Sequence, residues 1–216
     1  MGNDQAIRFG GMETPEGFVF ELSGGALPLD FANTLDERPR GGLERLSDYG
    51  ALIRWSEQSG LLDAQQSAAL AAMANTDPDA ATKVHAEALS LRELIFATAR
   101  AAIDACALAA SEIERWNRWR RRIDKQRSIV SSSAGLQWRV ADITSGLDGI
   151  LLAIAEAAIT LFTDPLAQSR LRLCAADNCD WTFLDRSRRQ NRIWCDMSVC
   201  GNRAKASRHY RKASQP

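Results

Sequence analysis

Four cysteines near the end of the 216-residue chain constrain its fold more than any other feature. Cys174 and Cys179 are separated by four residues, Cys195 and Cys200 likewise, with fifteen between the pairs, giving C-x4-C-x15-C-x4-C. Four thiolates at about 2.3 Å complete a tetrahedron around one Zn²⁺, and two short knuckles can converge on it from a turn and a helix start. The intervals are wider than the commonest two-residue form, so spacing alone leaves two alternatives open, a pair of disulfides and four thiols that only pack. The polar, glycine-rich start of the chain, Met1 to Gly17, reads as a loose arm without an export signal. That weighs against disulfides, which persist mainly in oxidising compartments, and makes a bacterial-type cytoplasmic location the default expectation. A segment as short as the one holding the cysteines needs its metal to be stable.

The residues between the pairs predict how the module is built. Trp181 to Asp185 and Arg192 to Cys195 are short aromatic or branched runs flanking the polar stretch Arg186–Asn191, the pattern of a β-hairpin. Asp196 or Ser198 can cap a helix that runs without proline through Lys212. At about 100° per residue, Val199, Ala206, Tyr210 and Ala213 share one side of it, while Lys205, Arg208, Arg211 and Lys212 share the other. Knuckle, hairpin and a helix whose first turn carries a ligand make a small treble-clef-like finger with four cysteine ligands.

Cys200-Gly201-Asn202-Arg203 spells CGNR. With the surrounding residues, Trp181 to Lys212, the segment resembles the zinc finger named after that tetrapeptide along its whole length. The resemblance implies that the four cysteines hold one structural zinc and that the finger binds nucleic acid in a transcription regulator. Leu29-Asp30-Phe31-Ala32-Asn33-Thr34 is similar to the start of the ABATE domain, which precedes such fingers and implies a stress-responsive regulatory module. Read bottom-up, Asp30, Asn33 and Thr34 are polar groups amid apolar neighbours and must be satisfied. They either bond to backbone or, with Arg92, line a ligand pocket. The expected division is a helical regulatory domain over residues 1–169 and a finger over residues 170–216.

Charge supports that division. The chain is neutral overall, yet residues 170–216 hold eleven Lys or Arg against four Asp, leaving the finger at +7 and the remainder at −7. Four thiolates and Zn²⁺ together contribute −2, so the loaded finger stays near +5. Such asymmetry suits a polyanion, and the candidate contacts are Arg186, Arg188, Arg189 and Arg192 on the turn with Lys205, Arg208, Arg211 and Lys212 on the helix. Gly201 and Asn202 are candidates for close backbone approach beside the metal, and Arg203 for bracing the knuckle or the domain junction.

The body reads as mainly α, with one short strand pair. Phe18–Leu22 and Leu136–Val140 are the two candidate strands, and as isolated strands they are expected to pair with each other. Helices are expected from Ser47 or Asp48 to Gly60, from Asp63 to about Ala74, from Asp77-Pro78 to about Leu108, after a capping-box pattern at Ser111–Glu114, from Ser145 or Asp148 to Thr163, and briefly after Asp164-Pro165. Residues Gly146–Phe162 form the most apolar stretch and belong at the centre of the bundle. Cys106, alone in the long apolar helix, is expected to be a buried thiol. The basic run Arg118 to Arg122 has acidic partners at Glu112, Glu114 and Asp124, the pattern of a solvated face.

No nucleotide-binding glycine pattern, nucleophile elbow or metalloprotease motif is present, and neither His85 nor His209 lies beside a nucleophile, so no enzyme is expected. The leading expectation is a transcription regulator whose finger binds DNA and whose helical domain senses a small-molecule effector or partner, as a homodimer or a monomer, away from membranes. The alternatives are an RNA-binding protein, which would need Trp181, Trp194 or Tyr210 exposed for stacking, and a zinc-stabilised interaction module.

Overall fold

The structure is a computed structural model and describes residues 10–15 and 17–206. Among these, the elements in chain order are β1 (Gly11–Thr14), β2 (Gly17–Phe20), α1 (Leu27–Ala32), β3 (Leu35–Asp36), β4 (Leu43–Glu44), α2 (Tyr49–Gln58), α3 (Ala64–Thr76), α4 (Pro78–Ile103), α5 (Ala110–Asp124), β5 (Arg127–Ser132), β6 (Gly135–Val140), α6 (Gly149–Thr163), α7 (Pro165–Ser169), β7 (Leu171–Leu173) and β8 (Thr182–Leu184). The fold is mainly α, as expected, with every strand in an antiparallel two-stranded sheet.

Helix starts follow the sequence signals. Asp48 accepts the Ala51 amide at the head of α2, and Asp77 accepts the Ala80 amide at the head of α4, where Pro78 occupies the first turn. Asp63 and Gln66 form a reciprocal capping box on α3. In α4, Ala81, Ala88, Leu91, Leu94, Ile95, Thr98 and Ala99 are buried at three- and four-residue intervals, one stripe of the helix facing the core. Helix α6 packs against α1, α4, α5 and α7, with Ile150, Leu151, Ile154, Ala155 and Ala158 fully enclosed. The most apolar stretch therefore does occupy the centre, alongside Phe31, Leu52, Trp55 and Leu94.

Several local expectations are corrected. Phe18 and its neighbours pair with β1, and Leu136–Val140 pairs with β5, so the two strands do not meet. Each instead has a partner a tight turn away, which closes a far shorter loop than the predicted pairing demands. Among the described residues the body accordingly has three strand pairs in place of one, and residues 11–14, read as loose, form β1. Helix α5 opens at Ala110 with only half a capping box, the Glu112 carboxylate accepting the Ala109 amide, because Ala109 has no side-chain acceptor. Cys106 lies beyond the end of α4 and is exposed. The helix stops at Ile103, and the left-handed backbone of Ala105, whose φ is +53°, takes Cys106 off the apolar stripe. The basic face of α5 is ion-paired, with Arg120 to Asp124, Arg121 to Glu114, and Arg122 to both Glu87 and Asp148.

Candidate metal centre

Strands β7 and β8 form a hairpin whose turn is the first knuckle. Cys174 donates its amide to the Trp181 carbonyl at 2.9 Å, continuing the ladder, and Cys179 donates to the Ala176 carbonyl at 3.0 Å, which curls the turn. The predicted hairpin joined Trp181–Asp185 to Arg192–Cys195, but β8 pairs with Leu171–Leu173. Arg192 cannot enter such a ladder because its amide is held by the Asp185 carboxylate at 2.9 Å. A bond from the Ala175 amide to the Ile193 carbonyl, 2.8 Å, helps bring the second cysteine pair alongside the first.

The second knuckle is a helix start. Asp196 accepts the amides of Ser198 and Val199 and the Ser198 hydroxyl, capping the π-helical turn Met197–Gly201 on which Cys200 sits. A Cβ on Gly201 would lie 2.5 Å from the Met197 sulfur, so this turn accepts only glycine without moving its neighbour. Asn202 donates to the Ser198 carbonyl at 3.0 Å and thereby bonds to backbone, while Arg203 is half-buried beside the knuckle. Of the helix half of the candidate nucleic-acid surface, Arg208, Arg211 and Lys212 lie outside the described residues, as does Tyr210.

All four sulfurs are buried and lie within 4.8 Å of one another. Cys179 and Cys195 Sγ are 3.7 Å apart, Cys195 and Cys200 Sγ 3.5 Å. Four ligands at about 2.3 Å from a tetrahedral ion stand about 3.8 Å apart, so the donor set fits one Zn²⁺. Disulfides are absent from the quartet, since a bonded pair needs about 2.05 Å. As thiols the four conflict: hydrogen bonds from its three neighbours push the Cys174 thiol far down, while Cys179 and Cys195 are pushed up. One shared negative charge satisfies one sulfur at the expense of the others, whereas a divalent cation lets all four ionise.

Residues 170–213 match the CGNR zinc finger, and residues 25–165 match ABATE, described as "Putative stress-induced transcription regulator". The second match spans more than half of the chain. This chain belongs to the ABATE family. Among curated proteins none matches it. With four cysteines in this arrangement, the CGNR finger can hold one zinc ion.

The loop between the knuckles displays the basic residues. Fully buried Asp185 accepts the amides of Ser187 and Arg192, both at 2.9 Å. Burial pushes its carboxyl up, but these bonds outweigh that and hold it below the usual range. Arg186, Arg188 and Arg189 on the braced loop are exposed, as is Lys205 beyond the second knuckle. Arg192, grouped with them in the sequence, turns inward instead. Its guanidinium lies 4.6 Å from the Phe183 ring and bonds the Trp194 carbonyl at 2.8 Å.

The polar residues of the ABATE motif are spent on internal bonds. Asn33 is buried and makes a two-way pair with Thr182, donating to its carbonyl at 3.0 Å and accepting its amide at 3.1 Å. Gly24 accepts the Leu184 amide at 2.8 Å, so the outer edge of β8 is closed by the body. Asp30 holds that loop by accepting the Gly24 amide at 2.7 Å, and burial pushes its carboxyl up to about 6. Thr34 donates to the Phe31 carbonyl, and Arg92 makes a bidentate pair with Glu44 at 2.6 and 2.7 Å. Leu29 and Ala99 of the body pack with Leu171 and Leu184 of the finger in a shared apolar seam. Asn33 directly, and Asp30 through the Gly24 loop, thus hold the CGNR finger to the ABATE body, while Thr34 and Arg92 bond within the body. The signal of this clamp in the sequence is a cluster of small polar groups, which by itself does not tell backbone bonding from ligand bonding.

Proposed function

We propose that the protein is a non-catalytic transcription regulator whose zinc finger grips DNA through the loop between its knuckles. The observation that carries this reading is the buried Asp185 brace, which presents Arg186, Arg188 and Arg189 to solvent on a preorganised loop of a segment with net positive charge. Phosphate contacts from these arginines set the register on a duplex. Zinc has a structural part, because four sulfur ligands leave no open position for an activated water. Membership of a family described as a transcription regulator supports the same assignment. The RNA reading is disfavoured by Trp181, which is buried in the cysteine cluster, and Trp194, half-buried against it. Effector sensing falls to a groove between α3, α4 and α5, about 660 Å³ in volume, with Met73, Ala80, Val84 and Leu147 on its walls and Glu87, Arg122 and Asp148 at its rim.

The test is binding of the zinc-loaded chain to duplex DNA over a salt series. Affinity should fall steeply with salt, and replacing Arg186, Arg188 and Arg189 together by Glu should flatten the slope by about 2–3 while zinc content stays unchanged. Unchanged affinity would move the contact surface off this loop. Preferential competition by single-stranded RNA would favour the RNA reading, and no binding at low salt the interaction-module reading.

A further inference from the structure

The β5–β6 hairpin projects from the body, with every residue exposed except half-buried Val130. Its register places Ile129 opposite Trp138, Ser131 opposite Leu136 and Arg127 opposite Val140, so these six side chains share one face. Four of them are large and apolar, and they are exposed by 60 % (Ile129), 77 % (Leu136), 69 % (Trp138) and 60 % (Val140). A protein that stays monomeric rarely leaves such a contiguous stripe in water, and a lone two-stranded hairpin is marginal without something packed on it.

We propose that this face is the surface through which two copies of the chain pair, hairpin face against hairpin face about a two-fold axis. Charge selects a second copy over a charged partner. No acidic residue occurs between positions 127 and 140, Arg139 lies on the opposite face, and Arg127, the one cation on the apolar face, is held by Glu156 of α6. Two such faces therefore meet without repulsion, whereas an acidic or basic partner finds no counter-charge. Area agrees. At these exposures the four side chains offer on the order of 500 Å² per copy, given that a large aromatic alone buries about 150–250 Å². A symmetric contact then removes about 1,000 Å² from water, the lower bound for a specific interface. The pairing is isologous, with Trp138 near the centre as the anchor.

Sedimentation equilibrium of the zinc-loaded full chain should show a reversible monomer–dimer equilibrium. Replacing Leu136 and Trp138 together by Lys should weaken self-association by roughly 30-fold or more, with far-ultraviolet circular dichroism and zinc content unchanged. Arg139→Glu, on the opposite face, should leave the dimer intact and guards against a general loss of hairpin structure. The proposal is overturned if the wild-type chain is monomeric throughout the micromolar range, including the case in which its own terminal residues cover the face. It is equally overturned if the double variant dimerises as strongly as the wild type.

Discussion

At the scale of single residues, Asn33 bridges the two parts of the molecule. Its amide is the complement of a peptide group, so one side chain satisfies both the amide and the carbonyl of buried Thr182. Asn33→Leu keeps the volume and loses both bonds. It should destabilise the folded chain by about 1–3 kcal/mol for each group left unpaired, read from urea unfolding, with zinc still bound. Asp30 gives a pH signature. Its carboxyl rises from an ordinary 3.8 to about 6, chiefly through burial, against the lowering pull of the Gly24 amide. A raised folded-state value means the native state binds the proton more tightly than the unfolded state does. Its contribution is therefore full below about pH 4 and lost as pH rises through about 6. Asp30→Asn keeps an acceptor for Gly24 and cannot ionise, so its stability profile should be flatter than wild type between those limits. An unchanged profile would assign the titration to another group.

At the scale of elements, most helix boundaries were legible because caps are local. Asp48, Asp63 and Asp77 each bond an amide three residues on. Asp77→Ala should cost about 1 kcal/mol in thermal or chemical unfolding, since the Ala80 amide loses its acceptor at the head of the longest helix. Strand pairing was not legible in the same way. Residues 136–140 read as a strand, but β5 begins with Arg127 and ends in serines, so the alternation that marks its partner is carried only by Ile129 and Val130. Within the finger, Trp181–Asp185 reads correctly as extended, but Thr182–Leu184 pairs with Leu171–Leu173, and the Arg192 amide is held by the Asp185 carboxylate instead.

At the scale of the whole molecule, the finger is a metal-closed cluster seated on a helical body. Its small core, Trp181 and Phe183 around the four cysteines, has little apolar content besides the sulfurs. Chelating the zinc, or Cys195→Ser, should unfold the finger around the two knuckles and leave most helical circular dichroism, because α2 to α6 share a core that does not include the cysteines. Full loss of helix on chelation would show that the seam of Leu29, Ala99, Leu171 and Leu184 makes the two parts one cooperative unit.

The sequence by itself determined the four-cysteine donor set, the mainly helical class, most helix starts and the cationic character of the tail. Each depends on spacing, local hydrogen bonding or composition, all of which act over a few residues. Only the tertiary structure decided that Asn33 clamps Thr182, that Arg192 faces inward while Arg186, Arg188 and Arg189 face water, and that the β5–β6 hairpin carries its apolar face uncovered. A polar side chain can satisfy its bonds with backbone, ligand or solvent at similar free energy, and the choice is made by what the rest of the chain places beside it.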